Sequence, residues 1–599
     1  MMGLEWGEMD MDRRGFVKIA AMVPLVGGGA PLALASLAST GLGASATSFG
    51  MNGPLRARYE LTLKRVLSGG SPAYTEEFLL ADVRPVAGRR FTEYSGDLSG
   101  RYIGALATAA QTYHARFAGL DSLVEKAIAL QKPDGYFGRT FDYDKPTDQD
   151  LALLWGNGRL LVGLVEYYRL KPSAPVLAAC RRLGDFMVRI GPLMLSSQMR
   201  ESFGAQHFAS SYICWMQQTE GLANLYMVTG DERYKKLAGE IAAVIERRAG
   251  DHAHGYLSSL RGVMDLYGAT GEAGYLRQCE TAWHEVAGSR DLQITGGVPE
   301  GWSPNNHRTE GCGEADWVRL SLSLWKATGK QEYLSMAERA IFNELAFNQF
   351  ATGDFGHRVF TETGFQAHGA ARAWWCCTLH GLRCFPDIHG SVFRSQDGGL
   401  HYDLPLDGRI ETKVLSAVAE SSLGENGTVK ITVKAAGKGP AVLGIRKPGW
   451  AEAVDAQLKD GGRLAAMEGG SVSVERTWAA GDVVTVKYAM KLRSETYGKD
   501  RVAYSYGPWL LGAAATDNPG YFNELTVDNR LVRGKETALP VQSGIKRPFT
   551  VPIAGHIVPY VPAEFPDQQG TVKLRAIAEQ AGEPTTSWEL GFLGEVRSY

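Results

Sequence analysis

One phrase returns along this chain and restricts the fold it can adopt. It reads Leu225-Tyr226-Met227-Val228-Thr229-Gly230-Asp231-Glu232-Arg233-Tyr234, then Leu266-Tyr267-Gly268-Ala269-Thr270-Gly271-Glu272-Ala273-Gly274-Tyr275, then Leu324-Trp325-Lys326-Ala327-Thr328-Gly329-Lys330-Gln331-Glu332-Tyr333. Each copy predicts a helix that stops at a glycine, a short turn, and a second helix whose tyrosine packs back. A looser copy, Tyr167-Tyr168-Arg169-Leu170-Lys171-Pro172, precedes Val176-Leu177-Ala178. Repeats of this size imply stacked helical hairpins. Closing about six of them in a ring gives an α/α toroid (six-hairpin barrel) whose loops gather at one mouth.

The interval from Thr270 to Thr328 is longer than that from Thr229 to Thr270 by about one loop. The added residues include Gly296-Gly297-Val298-Pro299-Glu300-Gly301-Trp302-Ser303-Pro304-Asn305-Asn306 and Glu310-Gly311-Cys312. Long loops on a rigid scaffold are where chemistry concentrates. From about Ser391 the pattern changes to short alternating segments such as Thr428-Val429-Lys430-Ile431-Thr432-Val433-Lys434 and Val483-Val484-Thr485-Val486-Lys487-Tyr488, which predict antiparallel strands in a sandwich. The fold class is therefore mainly α with β. The toroid spans 47–390, a β-sandwich spans 391–538, and the mixed signals of 539–599 assign it no firm element. With 599 residues, 44% of them hydrophobic, the chain can build more than one core.

A formal net charge of −2 gives no electrostatic case for nucleic acid or an anionic membrane. A neutral ligand fits better. The aromatic content, 10% with 13 Trp and 24 Tyr, suits the apolar faces and hydroxyls of sugars. At the N-terminus, Asp12-Arg13-Arg14-Gly15-Phe16-Val17-Lys18 is a twin-arginine pattern, followed by a weakly apolar stretch that runs to Ala44-Ser45-Ala46, a small-x-small cleavage candidate. Residues 1–46 are read as an export signal, and the mature protein as periplasmic or secreted with no membrane anchor after processing.

Seven cysteines are present, an odd number that does not suggest a disulfide framework. Cys180, Cys214 and Cys279 lie in helical patterns and read as inert buried thiols. Cys376 and Cys377 are adjacent, after Trp374 and Trp375, and with Glu310 and Cys312 they offer three thiolates and one carboxylate, a complete tetrahedral set for zinc. Glu314 and Asp316 are rival oxygen ligands of lower rank. A bound zinc deprotonates thiols, which makes a cysteine nucleophile available. Glycoside cleavage needs an attacking group and a proton donor. Glu300, in the inserted loop, is the best candidate for the donor.

The combination of Gly297-Val298-Pro299-Glu300-Gly301, Glu310-Gly311-Cys312 and Trp375-Cys376-Cys377 resembles the bacterial zinc-dependent β-L-arabinofuranosidases, glycoside hydrolase family 127. Further stretches look like the same family: Gln131-Lys132-Pro133-Asp134-Gly135-Tyr136-Phe137-Gly138, Arg446-Lys447-Pro448-Gly449-Trp450-Ala451 and Tyr506-Gly507-Pro508. The resemblance spans roughly residues 55–515 and implies a toroid followed by β-sandwich domains. It implies that Glu310, Cys312, Cys376 and Cys377 hold zinc, that Cys376 is the nucleophile forming a glycosyl-thioether, and that Glu300 is the general acid/base of a retaining mechanism. Histidines line the family's sugar pocket, and His207, His252 and His254 are available here.

Two departures bear on the sugar. After the double cysteine this chain continues Thr378-Leu379-His380-Gly381 rather than the proline or glycine and asparagine usual in the family. The segment between the two glutamates is also shorter. The reading is an exo-acting enzyme that releases a small terminal pentofuranose from an oligosaccharide or glycan, with Trp302, Trp374 and Trp375 as ring candidates for its apolar face. Two rivals stay open: a metal-free toroid enzyme such as an uronyl hydrolase or polysaccharide lyase, and a non-catalytic glycan-binding protein with structural zinc.

Overall fold

Each repeated phrase folds into the same turn. The computed structural model describes residues 53–513 except 85–91, 204–210, 303–307, 362–363, 367–371, 397 and 498–500, together with Ala44–Ser45, 549–552, 556–558 and 571–580. Gly230, Gly271 and Gly329 adopt φ of 66, 72 and 72°. Their N–H groups donate to the carbonyls of Tyr226, Tyr267 and Trp325 at 2.8, 2.7 and 2.7 Å. The preceding threonine hydroxyls donate to the Leu225, Leu266 and Leu324 carbonyls, each at 2.7 Å. The same hydroxyls accept the N–H of the residue two positions on, which starts the next helix. Both orphaned ends are satisfied locally.

The helices divide by burial. Outer ones are amphipathic: Glu232–Ala242 buries Tyr234, Leu237, Ala238 and Ile241, one stripe at helical spacing. Inner ones are buried nearly all round, as in Asp148–Leu170 and Gly311–Thr328. The inner helices form a closed ring. Asp97–Tyr113 packs on Asp148–Leu170, which packs on Gln218–Thr229, then Ala253–Thr270, Gly311–Thr328 and Trp375–Val392, and the last packs back on Asp97–Tyr113. Tyrosines of the repeat stitch the outer ring, with Tyr234 Oη on Asp185 at 3.0 Å and Tyr333 Oη on Glu280 at 2.9 Å. The ring is plugged rather than open: Glu220 meets Arg159 at 3.1 Å, Arg261 at 3.7 Å and Arg383 at 3.8 Å. Each of the first five inner helices is followed by an outer one that returns the chain, so the inner helices share one direction and the long loops share one mouth.

The last inner helix ends at Val392, and strands follow. Two five-stranded sheets cover 393–489, one ordered Ala453–Leu458, Val483–Ala489, Thr428–Ala436, Leu415–Ser422, Gly408–Ile410. Thr428–Ala436 and Val483–Ala489 alternate buried and exposed side chains, as a half-buried sheet requires. A third sheet joins Leu492–Tyr497, Arg501–Tyr506 and Trp509–Ala513 to Phe549–Pro552, His556–Val558 and Thr571–Ala576. No helix among the described residues is long and apolar enough to cross a membrane.

Three side chains fasten the β region to the toroid. Asp407 accepts the Leu55 and Arg56 N–H groups at 2.8 Å each, capping the helix Pro54–Leu67. Asn343 donates to the Pro508 carbonyl at 3.0 Å and accepts the Leu510 N–H at 2.7 Å. Arg446, buried, donates to both carboxylate oxygens of Glu338 at 3.2 Å and to the Asp403 carbonyl at 2.9 Å. Removing one partner of a buried pair strands the other, at a cost of about 3–5 kcal/mol. Arg446→Met is therefore expected to lower the thermal unfolding midpoint, and the double variant Arg446→Met/Glu338→Leu to recover most of the loss; equal midpoints for wild type and Arg446→Met would contradict this.

Candidate metal centre and active site

A small antiparallel sheet at the mouth brings distant parts of the sequence together. Its central strand, Gly356–Thr361, pairs on one edge with Arg308–Glu310 and on the other with Arg372–Ala373. His357 stands opposite Glu310 on one side and Arg372 on the other. Both flanking strands run straight into inner helices, Gly311–Thr328 and Trp375–Val392. Cys312 is thus in the first turn of one helix, and Cys376 and Cys377 are in the first turn of its neighbour. Gly311 lets the two starts approach: a Cβ there would lie 2.8 Å from Asn348 Oδ1, 3.0 Å from Phe355 Cβ and 3.1 Å from Cys377 Cβ.

The sulfurs of Cys312, Cys376 and Cys377 lie within 4.8 Å of one another, and all three residues are fully buried. Ligand atoms of Glu310, His357 and Cys377 lie within 4.8 Å of one another as well. Glu310 stands between the sulfurs and a histidine group. His252 Nε2 is 2.9 Å from Glu310 Oε1, and ligand atoms of His252, His254 and Glu310 also fall within 4.8 Å. The three cysteines are therefore together, and Glu310 adjoins them at Cys377.

Glu300 is buried on the far side of His357, whose Nε2 is 3.7 Å from Glu300 Oε1 and 4.0 Å from Glu310 Oε2. The Arg308 guanidinium contacts the Glu300 carboxylate. Backbone bonds fix the loop: Glu300 N–H donates to the Arg308 carbonyl at 2.7 Å and Ala253 N–H to the Glu300 carbonyl at 2.9 Å. Glu314 accepts the Val298 N–H at 2.9 Å, so it braces this loop rather than joining the sulfurs. Asp316 is also occupied: it meets His254 Nδ1 at 2.5 Å, His380 Nε2 at 3.0 Å and Arg261 Nη1 at 3.1 Å. Residues after the double cysteine have local roles, since Thr378 Oγ1 accepts the Phe355 N–H at 3.0 Å and His380 bonds Asp316.

Trp375 lies under the Arg101 guanidinium at 5.6 Å, and Trp374 is 5.9 Å from the His357 ring. Trp302 is buried between the Arg247 guanidinium, at 4.3 Å, and the Tyr256 ring, at 5.9 Å. His207 falls outside the described residues. His357, Arg308 and Arg101 carry no signal in the sequence reading, because each is a single residue in a segment that only the folded ring brings to the mouth. The other four cysteines, Cys180, Cys214, Cys279 and Cys384, are buried and form no disulfide, and burial pushes the Cys180 thiol up to about 12.

The donor set suits a soft or borderline divalent cation. Burial pushes the Cys312 and Cys377 thiols well above their ordinary range, so three such thiolates at this depth require compensating positive charge. Some comes from the fold, because the three cysteines sit in the first turns of two helices, at the positive ends of their dipoles. A bound dication would supply the rest, and zinc accepts this ligand menu at tetrahedral geometry. Glu310, Cys312, Cys376 and Cys377 are the residues that would hold it.

A toroid with sandwich sheets behind it and a sulfur-carboxylate cluster at its mouth defines a class of carbohydrate-active enzyme. Residues 74–390 match the β-L-arabinofuranosidase GH127 catalytic domain and residues 404–490 the GH127 middle domain. The chain belongs to this family of glycoside hydrolases. Its fold is that of a GH127 β-arabinofuranosidase (18% identity, TM-score 0.60, covering 89% of this chain and 92% of that one) and of the GH127 β-L-arabinofuranosidase of Geobacillus stearothermophilus T6 (16% identity, TM-score 0.62, 90% and 99%). A third structure, of a glycoside hydrolase, is as similar, at 16% identity and TM-score 0.60 over 90% and 95%. No curated protein matches the chain.

The close approach at Gly311 gives a direct check on the cluster. Gly311→Ala is expected to fold but to hold well under one zinc per chain by elemental analysis, because the added methyl pushes Cys377 from Cys312; full zinc content would show that the two helix starts tolerate separation.

Proposed function

We propose that this protein is an exo-acting retaining glycoside hydrolase that removes a terminal pentofuranose of the β-L-arabinofuranose type from plant-type glycans. The observation that carries the reading is the convergence of three buried sulfurs and Glu310 at the mouth, one histidine away from Glu300. Glu310, Cys312, Cys376 and Cys377 would hold zinc, and the ion, when bound, supplies the positive charge that keeps the thiols deprotonated. Cys376 Sγ attacks the anomeric carbon while the bond to the leaving oxygen breaks and Glu300 gives that oxygen its proton. Glu300 then takes a proton from water, which attacks the same carbon and releases the sulfur. Arg308, in contact with Glu300, holds its carboxyl group in place. Two inversions at one carbon retain its configuration.

Trp374, Trp375 and Trp302 are the ring candidates for the sugar's apolar face, and His254, fixed by Asp316, is a candidate for its hydroxyls. His207 is retained as a further pocket candidate. The twin-arginine pattern at Arg13-Arg14 supports export to the periplasm or beyond, and replacing both arginines with lysine is expected to leave the protein in the cytoplasmic fraction.

Two variants test the chemistry with an aryl β-L-arabinofuranoside. Cys376→Ser is expected to stay folded by circular dichroism and to lose turnover. Glu300→Gln is expected to lose about 10²–10⁴-fold on substrates with poor leaving groups, and much less on activated aryl glycosides. Azide is expected to restore its turnover and to give a glycosyl azide of retained configuration. Undiminished hydrolysis by folded Cys376→Ser would rule out sulfur as the nucleophile.

A further inference from the structure

A third inner helix also reaches the cluster. Arg101 lies in the early turns of Asp97–Tyr113, with its side chain only 4% exposed. Asp97 Oδ1 accepts from Arg101 Nε at 3.2 Å and from Nη2 at 2.9 Å, which fixes the plane of the guanidinium. Nη1 is then directed at Cys312 Sγ, 4.0 Å away, while the guanidinium lies 5.6 Å from the centre of the Trp375 ring. One side chain therefore spans both sulfur-bearing helices: it donates to Cys312 on Gly311–Thr328 and covers Trp375, next to Cys376, on Trp375–Val392.

The charges make this placement consequential. Three thiolates, one carboxylate and a dication sum to about −2, and an excess of that size at full burial is unfavourable unless a fixed cation is close. A guanidinium also donates in a fixed fork, which a lysine ammonium cannot reproduce.

We propose that Arg101, held by Asp97, is a positioning residue for the metal centre: it is the resident counter-cation of the thiolate cluster and the tie that keeps Cys312 in ligand geometry beside Cys376. This rests on the zinc reading above. Groups that orient metal ligands typically change metal affinity by about 10–100-fold when removed.

The test follows zinc rather than turnover. Wild type, Arg101→Met and Arg101→Lys are loaded with zinc, their content is measured, and release to a chromophoric chelator is timed at one fixed pH. Arg101→Met is expected to release zinc about 10–100-fold faster than wild type, and Arg101→Lys to fall between them, since it keeps the charge and loses the fork. If Arg101→Met does not fold, the lysine variant decides alone: faster release supports the proposal and wild-type release overturns it. Zinc-loaded wild type alongside a folded Arg101→Met with unchanged release overturns this proposal only. Wild type that takes up no zinc overturns the functional reading together with it.

Discussion

The strand Gly356–Thr361 is the constraint on which the site depends. By pairing on both edges it sets Glu310 opposite His357 and the start of the Cys376-Cys377 helix on the other side, and so joins two segments that are far apart in the chain. Neither flanking strand ends in a flexible loop. Each passes within a residue or two into an inner helix of the toroid, and those helices are held by burial along nearly their whole length. Precision at the sulfurs therefore derives from the rigidity of the ring. Gly311 is needed because the two helix starts approach so closely.

The mouth also explains how so much negative charge is tolerated at depth. Inner helices begin there, so the positive ends of their dipoles lie at the thiols and carboxylates. Histidines and arginines complete the shell: His252 and His357 beside Glu310, Arg308 on Glu300, Arg101 on Cys312. Asp316 orders a second row, fixing His254 and His380 with Arg261 behind it. At the opposite end three of the hairpins close with a Thr-Gly turn built from local hydrogen bonds. Stability at one end and chemistry at the other follow from the single direction of the inner helices.

Local, repeated signals were legible in the sequence. The Thr-Gly-x-x-x-Tyr phrase encodes its own turn, so the hairpins and their ring could be read from it, and alternation in Thr428–Ala436 encodes a strand with one wet face. The clustering of Cys312, Cys376 and Cys377 was legible because three thiols in two short motifs are an unusual set of residues. Asp316, a lower-ranked rival ligand, has the right chemistry, but its oxygens are taken by His254, His380 and Arg261. His357 and Arg101 could not be read, since a lone histidine in a strand or a lone arginine in a helix gains meaning only from the neighbours the topology gives it. Likewise the strands Phe549–Pro552 and Thr571–Ala576 are completed by pairing with each other and with Trp509–Ala513, a long-range partner that no local pattern marks.

The central claim is that three sulfurs and one carboxylate oxygen form a single zinc site. X-ray absorption at the zinc edge of the purified protein tests it most directly. The account predicts three sulfur scatterers at about 2.3 Å and one light atom at about 2.0–2.2 Å. A shell of nitrogen and oxygen only, or a protein that holds no zinc, would contradict it.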